Sequence, residues 1–263
     1  GNYLHLMNNA VTEVWVRQKP DGGILAMAGE PNAAYLAEGD DAHRPIRYSS
    51  ATGQPLSNKM HFRIEPGQVR QLLEFSGEEA SKVYRTEPEA LFDPNTRPDP
   101  YLMAHILLRH FNLKPGESRE FTMCDWGNAG DKQDDFPSYK IRVEHKGKEQ
   151  VTVPAGTFEA NHVVQTQLTS ADTWFKKRQE HVTDFWYLDD YLIIRILRHR
   201  EPYEVVLQSR GEPTSASTQG TQAQEHYEEL FSQITRRTFH PLEGHVIDNM
   251  AGASEEKWQA LEQ

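Results

Sequence analysis

The sequence GKEQVTVPAGTFEANHVV occupies residues 147–164 and leads into HVTDFWYLDDYLIIRILRH at residues 181–199. Both stretches are rich in Val, Ile, Thr and aromatic residues, which favour β-strands. The Pro-Ala-Gly sequence in the first stretch and the Asp-Asp pair in the second are typical of tight turns. The two stretches therefore predict an antiparallel β-meander, and they decide the fold class.

The second stretch is predicted to form a hairpin whose register depends on the length of its loop. A two-residue loop at residues 189–190 places Asp184 opposite Arg195, whereas a loop that also includes Tyr191 places it opposite Ile196. The pairing of opposite charges favours the shorter loop. Large apolar side chains occur on both faces in either register. We therefore expect two central strands, covered by a helix on one face and by another layer or a ligand on the other.

Alternation of apolar and polar residues predicts further strands elsewhere in the first two thirds of the chain. These strands are expected at residues 12–19, 24–29, 58–65, 68–75, 138–146, 150–153 and 157–168. One helix is predicted at residues 100–113, with Asp99 as its N-cap and Pro100 at its first position. Because its apolar residues recur at helical spacing, we expect this helix to pack on one face of the sheet.

The composition changes after residue 211, and this change divides the chain into three parts. Residues 1–211 are predicted to form a mainly β (α+β) domain with an antiparallel sheet, and residues 212–224 a polar linker. Residues 225–263 are predicted to form a C-terminal helical tail. Its first helix, at 225–238, carries one apolar stripe, consisting of Tyr227, Leu230, Phe231 and Ile234. This stripe can pack on the domain, form a dimer contact or close over a pocket.

The charge and the cysteine content exclude several classes of protein. The formal net charge of −11 argues against nucleic acid as a partner. The single cysteine, Cys124, excludes an internal disulfide and a thiolate zinc cluster. No apolar run is long enough to span a membrane. The chain begins with Gly-Asn-Tyr, from which we expect that a leader has been removed.

The chain carries no motif that specifies a reaction, a metal or a cofactor. Metal-ligand spacings of histidines and glycine-rich nucleotide motifs are absent from the sequence, so we expect no metal site and no cofactor. The acidic loop at residues 125–135 does not have the spacing of an EF-hand. Several polar residues do share the apolar phase of the strands, and these either face a cavity, satisfy a hydrogen bond in the core or reach solvent at an edge. They are His145, His162, His181, Tyr187, Arg198 and Tyr203.

Residues 100–209 resemble a family of exported bacterial proteins of unknown function. The resemblance rests on the Pro-Ala-Gly-Thr-Phe sequence at 154–158, the aromatic hairpin WYLDDYLIIRILRH and the LKPGE sequence at 113–117. That family is similar in architecture to the lipoprotein carriers and receptors of the Lol system. The resemblance implies a strongly curved antiparallel half-barrel with helices against its concave side and an apolar cavity between them. It also implies a periplasmic or secreted location.

These observations support two main hypotheses about function. In the first, the protein binds an apolar or amphipathic small molecule in the half-barrel without catalysis. The residues expected to line that site are His145, His162, Phe185, Trp186, Tyr187, Ile194, Arg198 and Tyr203. In the alternative, a cofactor-independent lyase or isomerase uses His162 or His181 as general base and Arg198 or Tyr187 to stabilise an oxyanion. A third possibility is a structural or interaction module in which the C-terminal helix at 225–238 binds a partner, such as the second copy in a homodimer.

Overall fold

The computed structural model describes residues 2–7, 10–30, 33–52, 58–75, 78–94, 101–125, 135–168, 182–199 and 203–210. The predicted linker and tail, and with them any helical dimer contact, lie outside the described residues. His181 and the predicted N-cap Asp99 also lie outside them.

The described residues form one curled sheet and one helix. The strands are β1 (Asn2–Met7), β2 (Ala10–Gln18), β3 (Ile24–Glu30), β4 (Ala33–Gly39), β5 (Pro45–Thr52), β6 (Asn58–Glu65), β7 (Gln68–Phe75), β8 (Glu78–Arg85), β9 (Leu91–Asp93), β10 (Ser118–Asp125), β11 (Ser138–Val153), β12 (Gly156–Gln167), β13 (Val182–Tyr187), β14 (Ile193–Arg198) and β15 (Tyr203–Arg210), and the helix is α1 (Ala104–Phe111). The mainly β architecture predicted from the sequence is confirmed.

The sheet is a half-barrel with β1 and β15 near its middle. Its order is β8-β7-β6-β5-β4-β3-β2-β1-β15-β14-β13-β12-β11-β10-β9, and the neighbours are antiparallel except for β9 and β10. The curl brings β8 against the residues that precede β11. Arg85 bonds to Asp135 at 2.7 Å, and Tyr84 stacks on Phe136 with ring centroids 4.0 Å apart. The concave face therefore encloses one large core, here called the main core, which includes the helix.

Helix α1 packs on the concave face, as its apolar stripe predicts. Ile106, Leu107 and Phe111 are at most 4% exposed and belong to the main core. The helix is shorter than the predicted span of 100–113 and begins after Met103, which makes no side-chain capping bond. Hydrogen-bonded turns over residues 101–103 precede it, and burial of the stripe holds it in place.

Strand β11 is a single 16-residue strand, where the sequence predicts two shorter ones. Its pairing with β12 shifts between His145 and Gly147, and Gly147 has φ +108. This β-bulge adds one residue without ending the strand. Before the bulge, odd-numbered residues of β11 face the main core, and after it they face the opposite side of the sheet. Val143 therefore belongs to the main core, whereas Val151 packs on the other side.

The register of the β13–β14 hairpin differs from the preferred prediction. The loop has three residues, closed by a bond from the Leu188 amide to the Leu192 carbonyl at 2.9 Å. A β-bulge between Trp186 and Tyr187 then shifts the pairing by one further residue, so that Asp184 lies opposite Leu197. The predicted Asp184–Arg195 pair is wrong. The physical reason is the loop geometry, because three-residue loops combine a turn with one left-handed residue.

Strands β13 and β14 are central and covered on both faces, as predicted. The second cover is the far end of the β11–β12 hairpin, which bends over β13, β14 and β15. The Ala155 amide at its tip donates to the Leu207 carbonyl at 3.2 Å. Together these elements form a smaller cluster, here called the outer core, that includes Val153, Trp186 and Ile194.

Candidate functional site

The predicted ligand-binding residues are divided between the two faces of the sheet. Because successive residues of a strand point to opposite faces, Phe185 and Tyr187 lie in the main core whereas Trp186 lies in the outer core. Ile194 lies beside Trp186 in the outer core. The imidazole of His162 stacks on the Trp186 indole at 4.6 Å between ring centroids. One cavity therefore cannot contain the whole predicted set.

Two further predicted residues, His145 and Arg198, lie on or beside the inner face. His145 is 2% exposed, and its ring meets Tyr187 edge-on at 6.4 Å. The Arg198 guanidinium lies over the ring of Tyr101, which packs against the main core. Tyr203 pairs with Arg198 across β14 and β15. His162, proposed as a general base, is thus on the opposite face of the sheet from Tyr187 and Arg198.

The polar residues of the outer core bond to one another. Nε2 of His162 lies 2.6 Å from Oδ1 of Asp184, and Nδ1 lies 3.2 Å from Glu149. The Trp186 indole N–H donates to the same Glu149 carboxylate. The second carboxylate oxygen of Asp184 bonds to His199. These bonds fasten the β11–β12 hairpin to the sheet, and we assign this cluster a structural role.

An open cleft lies on the inner side of the sheet. Helix α1, the turn at residues 40–44, the β13–β14 loop and the facing ends of β2 and β3 surround it. Its volume is about 280 Å³. Seven residues line it: Val16, Gln18, Ile24, His43, Arg109, Asp190 and Tyr191. Val16 and Ile24 belong to the main core and supply apolar surface. The other five side chains supply a cation, a carboxylate, an imidazole, a phenol and an amide. The cleft therefore combines apolar and polar surface, as small-molecule sites do.

Arg109 is the cation of the cleft and is fixed by its neighbours. Its guanidinium donates to the carbonyls of His105 and Asp190, the latter at 3.0 Å. It also lies over the Tyr191 ring at 4.9 Å from the centroid. Tyr191 in turn stacks on Tyr187 with centroids 5.4 Å apart and 7° between the planes. Tyr187, a predicted ligand residue, thus supports the cleft wall through Tyr191.

Two residues of the cleft have backbone conformations that side chains usually avoid. His43 has φ +57 and Tyr191 has φ +62. For a bulky residue such as tyrosine this conformation is uncommon, and residues of this kind cluster at ligand sites when the surrounding structure holds them in place. The Tyr191 hydroxyl bonds to Asn112 at 3.3 Å, and Asn112 also has a positive φ, +41. The strained positions therefore meet at one rim of the half-barrel.

A polar network that runs from the exposed Asp189 to the buried Asn161 and His145 supports the same loop from behind. Asp189 accepts bonds from Lys148 and Asn161, each at 2.9 Å, and these two bonds lower the pKa of its carboxyl. Burial lowers the pKa of His145, which bonds to Asn161. Burial also raises the pKa of Tyr187 to about 12, so its hydroxyl stays protonated at neutral pH. The loop that carries Tyr191 is consequently held on both sides.

Burial and a nearby cation set the charge of His43 in the cleft. Burial is the largest cause that lowers the pKa of His43, and the Arg109 guanidinium lowers this pKa further. Asp40 acts in the opposite direction. His43 is therefore favoured as the neutral imidazole at pH 7. It can donate or accept a hydrogen bond there, while Arg109 supplies the positive charge.

The described ranges contain neither a cluster of metal-ligating side chains nor a helix of membrane-spanning length. No group of three or more His, Cys, Asp or Glu side chains in these ranges is arranged to hold a metal ion. Within the same ranges, no helix is long and apolar enough to cross a membrane.

Reasoning from the sequence missed the cleft because its residues are distant in the chain. His43, Arg109 and Tyr191 come from a β-turn, a helix end and a hairpin loop. The only local signal was Arg109 in the last helical turn, where a basic residue is also expected to interact with the helix dipole.

Comparisons with known proteins find matches only among solved structures, at low sequence identity. No family model matches the chain, and no curated protein matches it. A solved structure of a β-barrel-like protein of domain of unknown function DUF1849 from Brucella abortus is 11% identical, covers 79% of this chain and 94% of its own, and gives a TM-score of 0.43. A Bacteroides fragilis protein described as a "putative exported protein with YmcC-like fold" is 12% identical, with coverages of 79% and 93% and a TM-score of 0.31.

Proposed function

We propose that the protein binds a small amphipathic molecule, without catalysis, in the cleft between α1 and the β13–β14 loop. The observation that carries this proposal is the Arg109 guanidinium, fixed on Tyr191, beside the apolar surface of Val16 and Ile24. A guanidinium held in place binds a carboxylate or a similar acceptor strongly. The apolar surface suits a short hydrocarbon or aromatic group.

The size of the cleft limits the ligand. Its volume of about 280 Å³ is slightly below the roughly 300–1,000 Å³ of drug-sized pockets. A molecule the size of an eight-carbon acid fits this space, and a longer chain would extend into solvent.

A location in the bacterial envelope is part of the same proposal. It rests on the resemblance of residues 100–209 to exported proteins of unknown function. The relation to the Lol system is proposed on the same basis.

The alternative of a lyase or isomerase has less support. Its proposed base His162 bonds to Asp184 in the outer core, whereas Tyr187 and Arg198 lie on the inner face. A reaction needs base and oxyanion donor around one substrate. The polar groups of the cleft, His43 and Arg109, are therefore assigned to binding.

The test compares octanoate with octanol by calorimetric titration of delipidated protein. Octanoate is expected to bind more tightly, because only it offers an anion to Arg109. The variant Arg109→Gln should weaken octanoate binding by about tenfold or more and leave octanol binding almost unchanged. The matched control is Arg119→Gln, which removes an exposed arginine paired with Glu117. Equal octanoate affinity in Arg109→Gln and the parent protein would refute the proposal, as would the absence of octanoate binding.

A further inference from the structure

Strands β4 to β7 present a regular patch on the outer face of the sheet, away from the main core. We call this surface the outer patch. Its residues pair across the strands and so form three rows. The rows are Ala34, Ala51, Lys59 and Glu74; Leu36, Ser49, His61 and Leu72; and Glu38, Arg47, Arg63 and Arg70. The first two rows are mostly small or apolar, and the third is basic.

The middle of the outer patch is buried. Leu36 is 1% exposed, Ser49 and Ala51 are 0% exposed, and His61 is 7% exposed. A leucine on the open face of a sheet would keep much of its side chain in water. Burial this complete requires a second layer over the strands, since domains are built from packed layers.

The described helix and hairpin are engaged elsewhere. Helix α1 packs on the inner face, where Ile106 lies against Gly39. The end of the β11–β12 hairpin covers β13 to β15. Neither of these two elements therefore supplies the cover of the outer patch.

The C-terminal segment at residues 225–238 fits the patch in length, reach and polarity. Its apolar stripe matches the small and apolar rows, since small residues let a helix approach a sheet closely. Strand β15 ends at Arg210, which pairs with Tyr3 in β1, and five strand spacings of about 4.8 Å separate β15 from β5. The thirteen residues of 212–224 can extend to about 43 Å. The linker is therefore long enough.

The charges of the outer patch and of the segment at residues 225–238 are also complementary. Arg47, Arg63 and Arg70 lie directly opposite one another across three strands. Like charges in this position repel, and within the described residues the three arginines pair with two carboxylates, Glu38 and Glu65. The first turns of the segment carry three acidic residues, Glu225, Glu228 and Glu229. In an acidic chain, this basic row is a favourable contact for them.

We propose that residues 225–238 dock on the outer patch of the same molecule as an amphipathic helix, with the stripe of Tyr227, Leu230, Phe231 and Ile234 against the sheet. The acidic first turns lie towards the row of arginines. The occupant is thus the chain's own C-terminal segment, not a second copy or a separate partner. Docking adds a layer to the half-barrel on the side opposite the cleft.

The test uses the full chain carrying Ser49→Cys and measures maleimide labelling by peptide mass spectrometry. Ser49 suits this substitution because its Oγ is buried and makes no hydrogen bond within the part of the chain that the structure describes. Buried Cys124 is the internal control, since its labelling reports loss of the whole fold. Adding Leu230→Asp and Phe231→Asp should speed labelling at position 49 by about tenfold or more, because the cover then opens locally. Labelling of Cys124 should not change.

The matched control is the pair Ser232→Asp and Gln233→Asp, which adds the same charge outside the stripe and should leave labelling slow. Equal labelling at position 49 in the stripe and control variants would overturn the proposal. Protection that is lost on dilution, together with a dimer mass in light scattering, would also overturn it and assign the patch to a second copy.

Discussion

The indole of Trp186 lies between two charged or ionisable partners, stacked on His162 at 4.6 Å and with the Arg195 guanidinium 4.9 Å from its ring centroid. This contact joins β12, β13 and β14 on the outer face. The stack depends on Asp184, which is 6% exposed and bonds to both His162 and His199.

Removal of that carboxylate should destabilise the domain. In Asp184→Ala, a buried acceptor is lost by the mostly buried His162 and by the half-exposed His199, and we expect a loss of about 2–4 kcal/mol in unfolding free energy. The measurement is urea denaturation followed by Trp fluorescence. The control is Glu204→Ala, whose carboxylate pairs with Arg195 at 2.7 Å but is half exposed. It should cost less than about 1 kcal/mol. Similar losses in the two variants would contradict a structural role for Asp184.

The bulge at Gly147 should be sensitive to any side chain. Gly147 has φ +108, and in the described part of the chain no atom beyond its own neighbours lies within 4 Å of the place a Cβ would take. A substitution there therefore meets backbone strain and no steric clash. Gly147→Ala should lower the unfolding free energy by about 1–2 kcal/mol. Lys146→Ala, at the exposed neighbouring position, should change it by no more than about 0.5 kcal/mol. A neutral Gly147→Ala variant would show that the bulge does not need this conformation.

Gly39 should be sensitive for a different reason, its contact with the helix. A Cβ at this position would lie 2.7 Å from Cγ2 of Ile106. Gly39→Ala should cost about 1–3 kcal/mol because it forces α1 away from β4. In a double-mutant cycle with Ile106→Ala, which removes that methyl group, the combined loss should be smaller than the sum of the single losses. Additive losses would refute the close contact.

His61 should make stability depend on pH. Burial lowers its pKa from 6.5 to about 4, with Lys59 and Arg47 acting in the same direction and Glu74 against them. Between these two values the unfolded chain binds a proton that the folded chain does not. The contribution of neutral His61 to the free energy of unfolding is therefore fully present above pH 6.5. It falls by about 3 kcal/mol in all as the pH drops to 4.

The variant His61→Gln should remove this dependence. Urea midpoints measured at pH 6.5, 5.5 and 4.5 should fall less steeply in His61→Gln than in the parent chain. The control is His110→Gln, which changes a histidine whose ring bonds to the Ala42 carbonyl near the surface. It should keep the parent slope. An unchanged slope in His61→Gln would show that this histidine titrates normally in the folded protein.

The helix and the strands with clear alternation were predictable from local chemistry, whereas no spans were predicted for β1, β4, β5, β8, β9 and β10. The predicted spans 58–65 and 68–75 match β6 and β7, because a proline-glycine turn at residues 66–67 separates two alternating runs. The helix stripe of residues 102–111 packs as expected. The long β11 strand was not predicted, because Gly147 reads as a break in the sequence and acts as a bulge in the sheet.

The hairpin register and the candidate site were less predictable. The charge pairing of Asp184 with Arg195 favoured a register that the structure does not adopt. A left-handed Tyr191 has no distinct signature in a sequence, since its conformation depends on Arg109 and Tyr187 holding its ring. The curl of the sheet is what brings both partners into contact with Tyr191.

The sequence by itself determined the class of this protein, because alternation, turn residues and one apolar helical stripe act through neighbours along the chain. Tertiary structure alone decided which face each aromatic residue occupies and where a cleft opens. A single bulge reverses every later side chain of a strand, and curling of the sheet brings residues as distant as His43, Arg109 and Tyr191 to one rim.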